Sequence, residues 1–260
     1  MSQLQSPAQL TAAPAVRAIR VLTVNTHKGF SPLNRRYVLP ELRDAVRSQD
    51  ADLVFLQEVL GSHRRHAERH PGWVDQPQYE FLADSLWPVF AYGRNAVYPD
   101  GEHGNALLSK FPILRFVNLD VSLQGSEERG LLHSVLAVPG HDEVHAVCVH
   151  LGLGEQQRLK QLRLLCQLLD SLAADAPVIV AGDFNDWRQN ADALLAGCGL
   201  TEVFSQAFGR PARSFPARWP LLRLDRIYLR NAQAREPVVM ARKPWSHLSD
   251  HLPLSVEVLL

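Results

Sequence analysis

The chain has 260 residues, enough to bury a large core, and its 46% hydrophobic and 21% charged content is that of an ordinary folded protein. Its 27 lysines and arginines are balanced by 27 aspartates and glutamates, which argues against coating nucleic acid through a general positive field but leaves room for a local basic groove. No apolar run approaches the roughly 18 residues a bilayer span needs.

Residues 1–18 are mostly Ser, Gln, Ala and Pro with one charge, Arg17. They lack the solid apolar block of a secretory signal and read as a disordered tail. No repeat and no Pro/Gly/Ser linker divides the rest, so residues 19–260 are expected to form one domain. Cys148, Cys166 and Cys198 are far apart and odd in number. They suggest no metal pair and no disulfide framework, hence a reducing compartment and a cytoplasmic location.

Residues 19–24 read as a first strand, and 37–48 as a helix with Leu39, Leu42 and Val46 on one face. A buried strand at 52–57 is followed by a His/Arg-rich stretch and a short helix at 79–86. Strands are expected at 104–109, 114–121, 131–138 and 144–150, the last two joined by the turn Pro139-Gly140-His141-Asp142. The best helix is 155–173, where Leu159, Leu162, Leu165, Cys166, Leu169 and Leu172 make a stripe. A strand at 177–181, a helix at 191–196, strands at 224–229 and 237–241, and an alternating strand at 254–258 complete the chain. Hairpins imply antiparallel pairing and helical crossovers imply parallel pairing. Two mixed sheets face to face, each covered by helices, satisfy both: an α/β (α+β) four-layer α/β/β/α sandwich.

Polar residues collect at the strand ends: Asn25, Glu58, His150, Asp183 and Asn185 in AGDFND, Asp225, and Asp250 and His251 in SDHLPL. Hydrolysing a phosphate ester needs a hard divalent cation on oxygen ligands, a base for water, and donors for the charge that builds. Glu58 and Asn25 offer the oxygens, Asp183 and His251 the basic pair, and Asn185 and His150 the donors. Asp225 can orient the His251 imidazole. Singly, most are weak signals: a buried Asn at a strand end usually closes a turn, and a core His is usually just satisfied. GDFND and SDHLPL are stronger, because they set charged groups at the mouths of buried strands.

In order along the chain, VNTHKG, LVFLQE, GNALLSKFPI, VHLGL, VAGDFND, LDRIY and LSDHLPL resemble the endonuclease/exonuclease/phosphatase superfamily, the deoxyribonuclease-I-like metal-dependent phosphoesterases. The resemblance runs from Ile19 to the C-terminus and implies the same two-sheet fold. It implies Glu58 as principal Mg²⁺ ligand, with Mn²⁺ as a substitute, Asn25 as its partner and Asp250 as a metal-side carboxylate. It implies that Asp183 positions or activates water, that Asn185 and His150 bind the phosphate, and that Asp225 orients His251 at the scissile group. Asn105 matches a position near the phosphate. Arg129, in the turn Glu128-Arg129-Gly130, is expected to offer its fork to substrate.

Two departures bear on the branch. Where the abasic-site repair enzymes resemble Asn-x-Asp, this chain has His27, a metal or phosphate contact or else a loop His near Lys28. VHLGL also replaces an Asn-containing loop. Both argue against an abasic-site endonuclease and toward small bacterial members. The cluster His63, Arg64, Arg65, His66, Arg69 and His70 reads as a solvated face. Trp187, Trp219 and Trp245 sit in loops beside the motifs, two of the three expected to be packing. The expected activity is a Mg²⁺-dependent phosphodiesterase on a small-molecule or phospholipid phosphodiester, acting as a monomer without an obligate protein partner. The alternative is a metal-dependent DNA or RNA nuclease. A binding-only adaptor is disfavoured because its ligands would be lost.

Overall fold

Strand β1 (Ala18–Asn25) shows how the layers arise: Ile19 and Val21 face one core while Leu22 and Val24 face another, so from Val21 onward both sides are buried. In the computed structural model, which describes residues 18–63, 69–70 and 72–260, such segments pair into two six-stranded sheets. The first holds β1, β2 (Leu53–His63), β3 (Val89–Tyr98), β4 (Gly101–Ser109), β11 (Gln233–Val239) and β12 (Leu254–Leu259) in the order β11-β12-β1-β2-β4-β3. The second holds β5 (Ile113–Asp120), β6 (Gly130–Leu136), β7 (Val144–His150), β8 (Val178–Asp183), β9 (Thr201–Glu202) and β10 (Asp225–Arg230) in the order β5-β6-β7-β8-β10-β9.

Phe55 and Leu107 of the first sheet pack on Leu132, Ala146 and Ile179 of the second. Outside the first sheet, Leu39, Leu42 and Val46 of α1 (Leu39–Ser48) cover Leu22 and Val54, with α2 (Gln78–Ala83) beside them. Outside the second, Leu162, Leu165 and Leu169 of α3 (Glu155–Asp170) cover Val147, Val149 and Val180, joined by Leu195 of α4 (Ala191–Gly197). The expected four-layer α/β/β/α sandwich of mixed sheets is what forms.

One parallel pair lies inside each sheet, β1–β2 and β7–β8. Their C-terminal ends carry Asn25 opposite Gln57 and His150 opposite Asp183. β10 runs antiparallel to β8 and enters with Asp225 opposite Asp183. The polar residues are thus delivered to one end of the sandwich by strand direction alone.

Several boundaries differ from expectation. β3 is not anticipated, because Gly93 and Asn95 interrupt its apolar pattern, and it is an edge strand with a bulge between Arg94 and Ala96. β2 runs on to His63, and a short helix, α5 (Val203–Phe208), follows β9. Ala18, expected in the tail, pairs with Leu259, while the rest of the expected tail and residues 64–68 of the His/Arg-rich stretch lie outside the described residues.

The reading of three unpaired cysteines is corrected. Cys166 of α3 and Cys198 just past α4 form a disulfide with their Cα atoms 5.7 Å apart. Their separation of 32 residues hides the pairing, which comes from two helices packing side by side on one sheet face. The cysteine argument for a reducing compartment therefore falls. Among the described residues no helix is long and apolar enough to cross a membrane. Cys148 is free and buried, and burial pushes its thiol up to about 12.

Candidate active site

Glu58 owes its position to a backbone irregularity. β2 slips register against β4 between Leu56 and Val59, and Glu58 sits in that bulge at φ +56°. A non-glycine residue held there turns its side chain out of the regular strand alternation. Its carboxylate is one-fifth exposed and is approached by Asn25 Nδ2 at 3.5 Å, Lys28 Nζ at 3.9 Å and His27 Nδ1 at 4.0 Å.

Asn25 ends β1 and spans both sheets. Its Nδ2 also donates to Asp183 Oδ2 at 3.2 Å, and its Oδ1 accepts from the His27 backbone N–H at 3.0 Å. Asp183 Oδ2 is the meeting point of the site. Besides Asn25, His150 Nε2 lies 3.6 Å from it and His251 Nε2 lies 3.8 Å away. Its other oxygen accepts from the Asn185 backbone N–H at 2.9 Å. Asn185, at φ +51°, gives its side-chain N–H to the Leu151 carbonyl at 2.9 Å.

His251 lies between two carboxylates. Its Nδ1 meets Asp225 Oδ2 at 2.8 Å, the orienting contact expected from sequence, and its Nε2 faces Asp183. Burial opposes a charged imidazole, but Asp225 and then Asp183 overcome it and hold His251 up at about 10. Burial shifts the Asp183 carboxyl upward, offset in part by His251. His150 is held well below its ordinary value by burial, with Arg129 next in effect. Ser249 braces the group: its hydroxyl donates to the Asn25 carbonyl at 2.7 Å and accepts from the His251 N–H at 3.2 Å.

Asn25, Glu58, His150, Asp183, Asn185, Asp225 and His251 therefore come together. The others sit further back. Asp250 reaches the group through His27, with Oδ1 3.2 Å from His27 Nδ1. Asn105 is fully buried behind the site, where its Nδ2 donates to the Gly130 carbonyl at 3.0 Å and reaches that of Cys148 at 3.4 Å. Arg129 departs from the expected open fork. It is 4% exposed, and its donors go to Glu127 Oε2 at 2.7 Å and to the carbonyls of Glu128 and Leu151. Glu127 claims the guanidinium because a buried cation needs a charged partner. One tryptophan is packing: Trp245 is buried, whereas Trp187 and Trp219 are exposed.

Three neighbours escape the sequence reading. Lys28 follows His27 at the mouth. His103 hydrogen-bonds the Tyr98 hydroxyl at 3.0 Å, and burial, then Lys28, lowers it to about 4. Phe215 sets its ring 4.9 Å from that of His251. Lys28 alone had a cue, its place beside His27 at a strand end.

Asp183, Asp225 and His251 have ligand atoms within 4.8 Å of one another and can in principle hold a metal. In the geometry present, however, both imidazole nitrogens of His251 already face these carboxylates. The side open to an added cation is that of Glu58, whose carboxylate has no hydrogen bond shorter than 3.5 Å among the described residues. A carboxylate, an amide oxygen with a second lone pair and a nearby Asp250 are a donor set of the kind a hard divalent ion takes.

The model of the Endonuclease/Exonuclease/phosphatase family matches residues 22–251. The chain is 54% identical over 245 residues to the uncharacterized protein YbhP of Escherichia coli (strain K12), covering 94% of this chain and 97% of that one. Among solved structures it is similar to an endonuclease/exonuclease/phosphatase from Beutenbergia cavernae, with TM-score 0.75, 21% identity and coverage of 94% of this chain and 72% of that one. It is similar also to D. rerio TDP2 complexed with single strand DNA product, with TM-score 0.68, 21% identity and coverage of 93% and 98%. At such identities the structures speak for the fold, while the family model spans most of the chain, every site residue above included. The chain belongs to the endonuclease/exonuclease/phosphatase family.

Proposed function

We propose that this chain, a metal-dependent phosphoric ester hydrolase by family, cleaves a small-molecule or phospholipid phosphodiester by in-line attack of water. The carrying observation is the convergence on Asp183 Oδ2 of Asn25, His150 and His251, with Glu58 on the far side of Asn25. Glu58 and Asn25 would hold Mg²⁺ or Mn²⁺, with Asp250 behind His27. When bound, the ion supplies positive charge against the phosphate oxygens and leaving group. Asp183 positions or activates the water, and His251, fixed by Asp225 at Nδ1, would share its Nε2, which lies beside Asp183, with the scissile phosphate once substrate is bound. His150 and Asn185 bring donors to the phosphate oxygens.

The balanced net charge and the inward-turned Arg129 support a short substrate over a long duplex. A nuclease is the second reading, favoured by the shared fold of D. rerio TDP2 with its DNA product. Assaying bis-p-nitrophenyl phosphate, phospholipid vesicles and plasmid DNA with and without Mg²⁺ separates the two. The expected result is Mg²⁺-dependent turnover of the diester or the lipid that is lost in Glu58→Ala. Turnover confined to DNA, with binding that falls steeply as salt rises, would transfer the chain to the second reading.

A further inference from the structure

From Val203 to Leu224 the sequence carries Arg210, Arg213, Arg218 and Arg223 and no acidic residue, in a chain whose charges balance only when this stretch is included. The same stretch exposes apolar side chains: Trp219 is 78% exposed, Leu221 66% and Phe208 62%. Burying such groups is the ordinary tendency, and leaving three of them in water beside four cations is a surface without its partner.

A cleft of about 710 Å³ runs between this stretch and β11. Phe204, Phe208 and Val238 form its apolar walls, and among the described residues Arg210, Arg213 and Arg223 are its charged lining. Among the described residues no carboxylate lines the cleft. Loss of solvent, then Arg213 and Arg210, depress the Arg223 guanidinium, a repulsion that an incoming anion would relieve.

The stretch is also a wall of the active site. Ala217 N–H donates to the Asp250 carbonyl at 2.7 Å, Leu252 N–H to that of Ser214 at 2.8 Å, and Phe215 packs on His251. Whatever docks on the outer side of this loop is held at the mouth of the site.

We propose that residues 203–224 dock this protein on an anionic phospholipid bilayer, the arginines on headgroup phosphates and Trp219, Leu221 and Phe208 among the chain ends next to them. Exposed Trp and Leu next to Arg suit an interface that is apolar on one side and anionic on the other. Among the described residues the cleft offers no Asn, Gln, Ser or Thr side chain with which to read a nucleobase, so lipid is favoured over single-stranded nucleic acid. The proposal deepens the phospholipid arm of the function above and rests on it for its purpose, but not for its test.

The test is co-sedimentation of the full chain with phosphatidylcholine vesicles, with and without phosphatidylglycerol, at low and high salt. Retention is expected only with phosphatidylglycerol, weakening as salt rises. The triple variant Arg210→Gln, Arg213→Gln, Arg218→Gln and the double variant Trp219→Ser, Leu221→Ser should each weaken it at least about tenfold. Both should hydrolyse bis-p-nitrophenyl phosphate at the parent rate, which shows that they fold. Retention that is absent, indifferent to phosphatidylglycerol, or unchanged in the triple variant overturns the proposal. So does a single-stranded oligonucleotide that is bound through the same arginines while vesicles are not. Vesicle binding without diester turnover would instead count against the catalytic reading and leave docking intact.

Discussion

Gly182→Ala should disable this enzyme from a position whose side chain touches no substrate. Gly182 is at φ +146°, and a Cβ built there lies 2.0 Å from the Val149 carbonyl oxygen, where real Cβ contacts essentially never fall under 3.0 Å. β7 and β8 must therefore part by at least 1.0 Å at the pair next to His150–Asp183. The backbone on both sides is held in the middle of a sheet, so the strain and overpacking together should cost about 2–4 kcal/mol of stability. Asp183 moves with its strand, away from Asn25, His150 and His251. Displacements of that size at a reacting centre cost about a hundredfold in rate. The assay is Mg²⁺-dependent hydrolysis of bis-p-nitrophenyl phosphate alongside urea unfolding. Gly197→Ala is the control, since a Cβ there meets nothing within 4 Å. Parent-like turnover in Gly182→Ala would refute the idea that the β7–β8 spacing sets the geometry of Asp183.

Asp183→Asn and His251→Ala should each lower turnover at least about a hundredfold in the same assay, and near-parent rates in either would mean the two residues have other roles. Glu58→Ala should abolish metal-dependent turnover while leaving the circular dichroism spectrum and unfolding midpoint close to the parent's. Reducing the Cys166–Cys198 bridge frees a loop of 32 residues and should remove about 3–4 kcal/mol, seen as a lower urea midpoint in dithiothreitol; an unchanged midpoint would count against the bridge. His133 and His145 share a hydrogen bond of 2.9 Å at the end of the second sheet away from the site. Burial, then His145, then Arg115 lower His133 from 6.5 to about 4, with Glu143 pulling the other way. The folded state keeps this imidazole neutral while the unfolded chain protonates it near 6.5, so stability present at neutral pH drains between 6.5 and 4. The loss should be about 2 kcal/mol once partial solvation is allowed for, and His133→Gln should flatten that slope.

Much of the architecture was legible because central strands such as β6, β7 and β8 are buried on both faces. Residues 144–150 read correctly to the last residue, their whole length being inside the protein. The partners in the site were legible because each lies at the edge of such a run, where a polar group demands an explanation. What stayed hidden depends on three-dimensional neighbours. β3 alternates poorly because it is an edge strand. The Cys166–Cys198 bridge needs two helices to lie together. Arg129 looked like an open fork, but Glu127, two residues earlier, turns it inward. The bulge that redirects Glu58 leaves no mark in LVFLQE, since its cause is a slip of register against β4.

Glu58 belongs to the first sheet and Asp183 to the second, with Asn25 the side chain that links them. Catalytic output is therefore a gauge of how the two halves of the sandwich are aligned. Trimming Phe55 or Ile179, deep between the layers, would let one half slide before either one melts. Such variants should lose turnover at denaturant concentrations where their secondary structure is still whole, and activity would serve as the more sensitive probe of loosening inside the molecule.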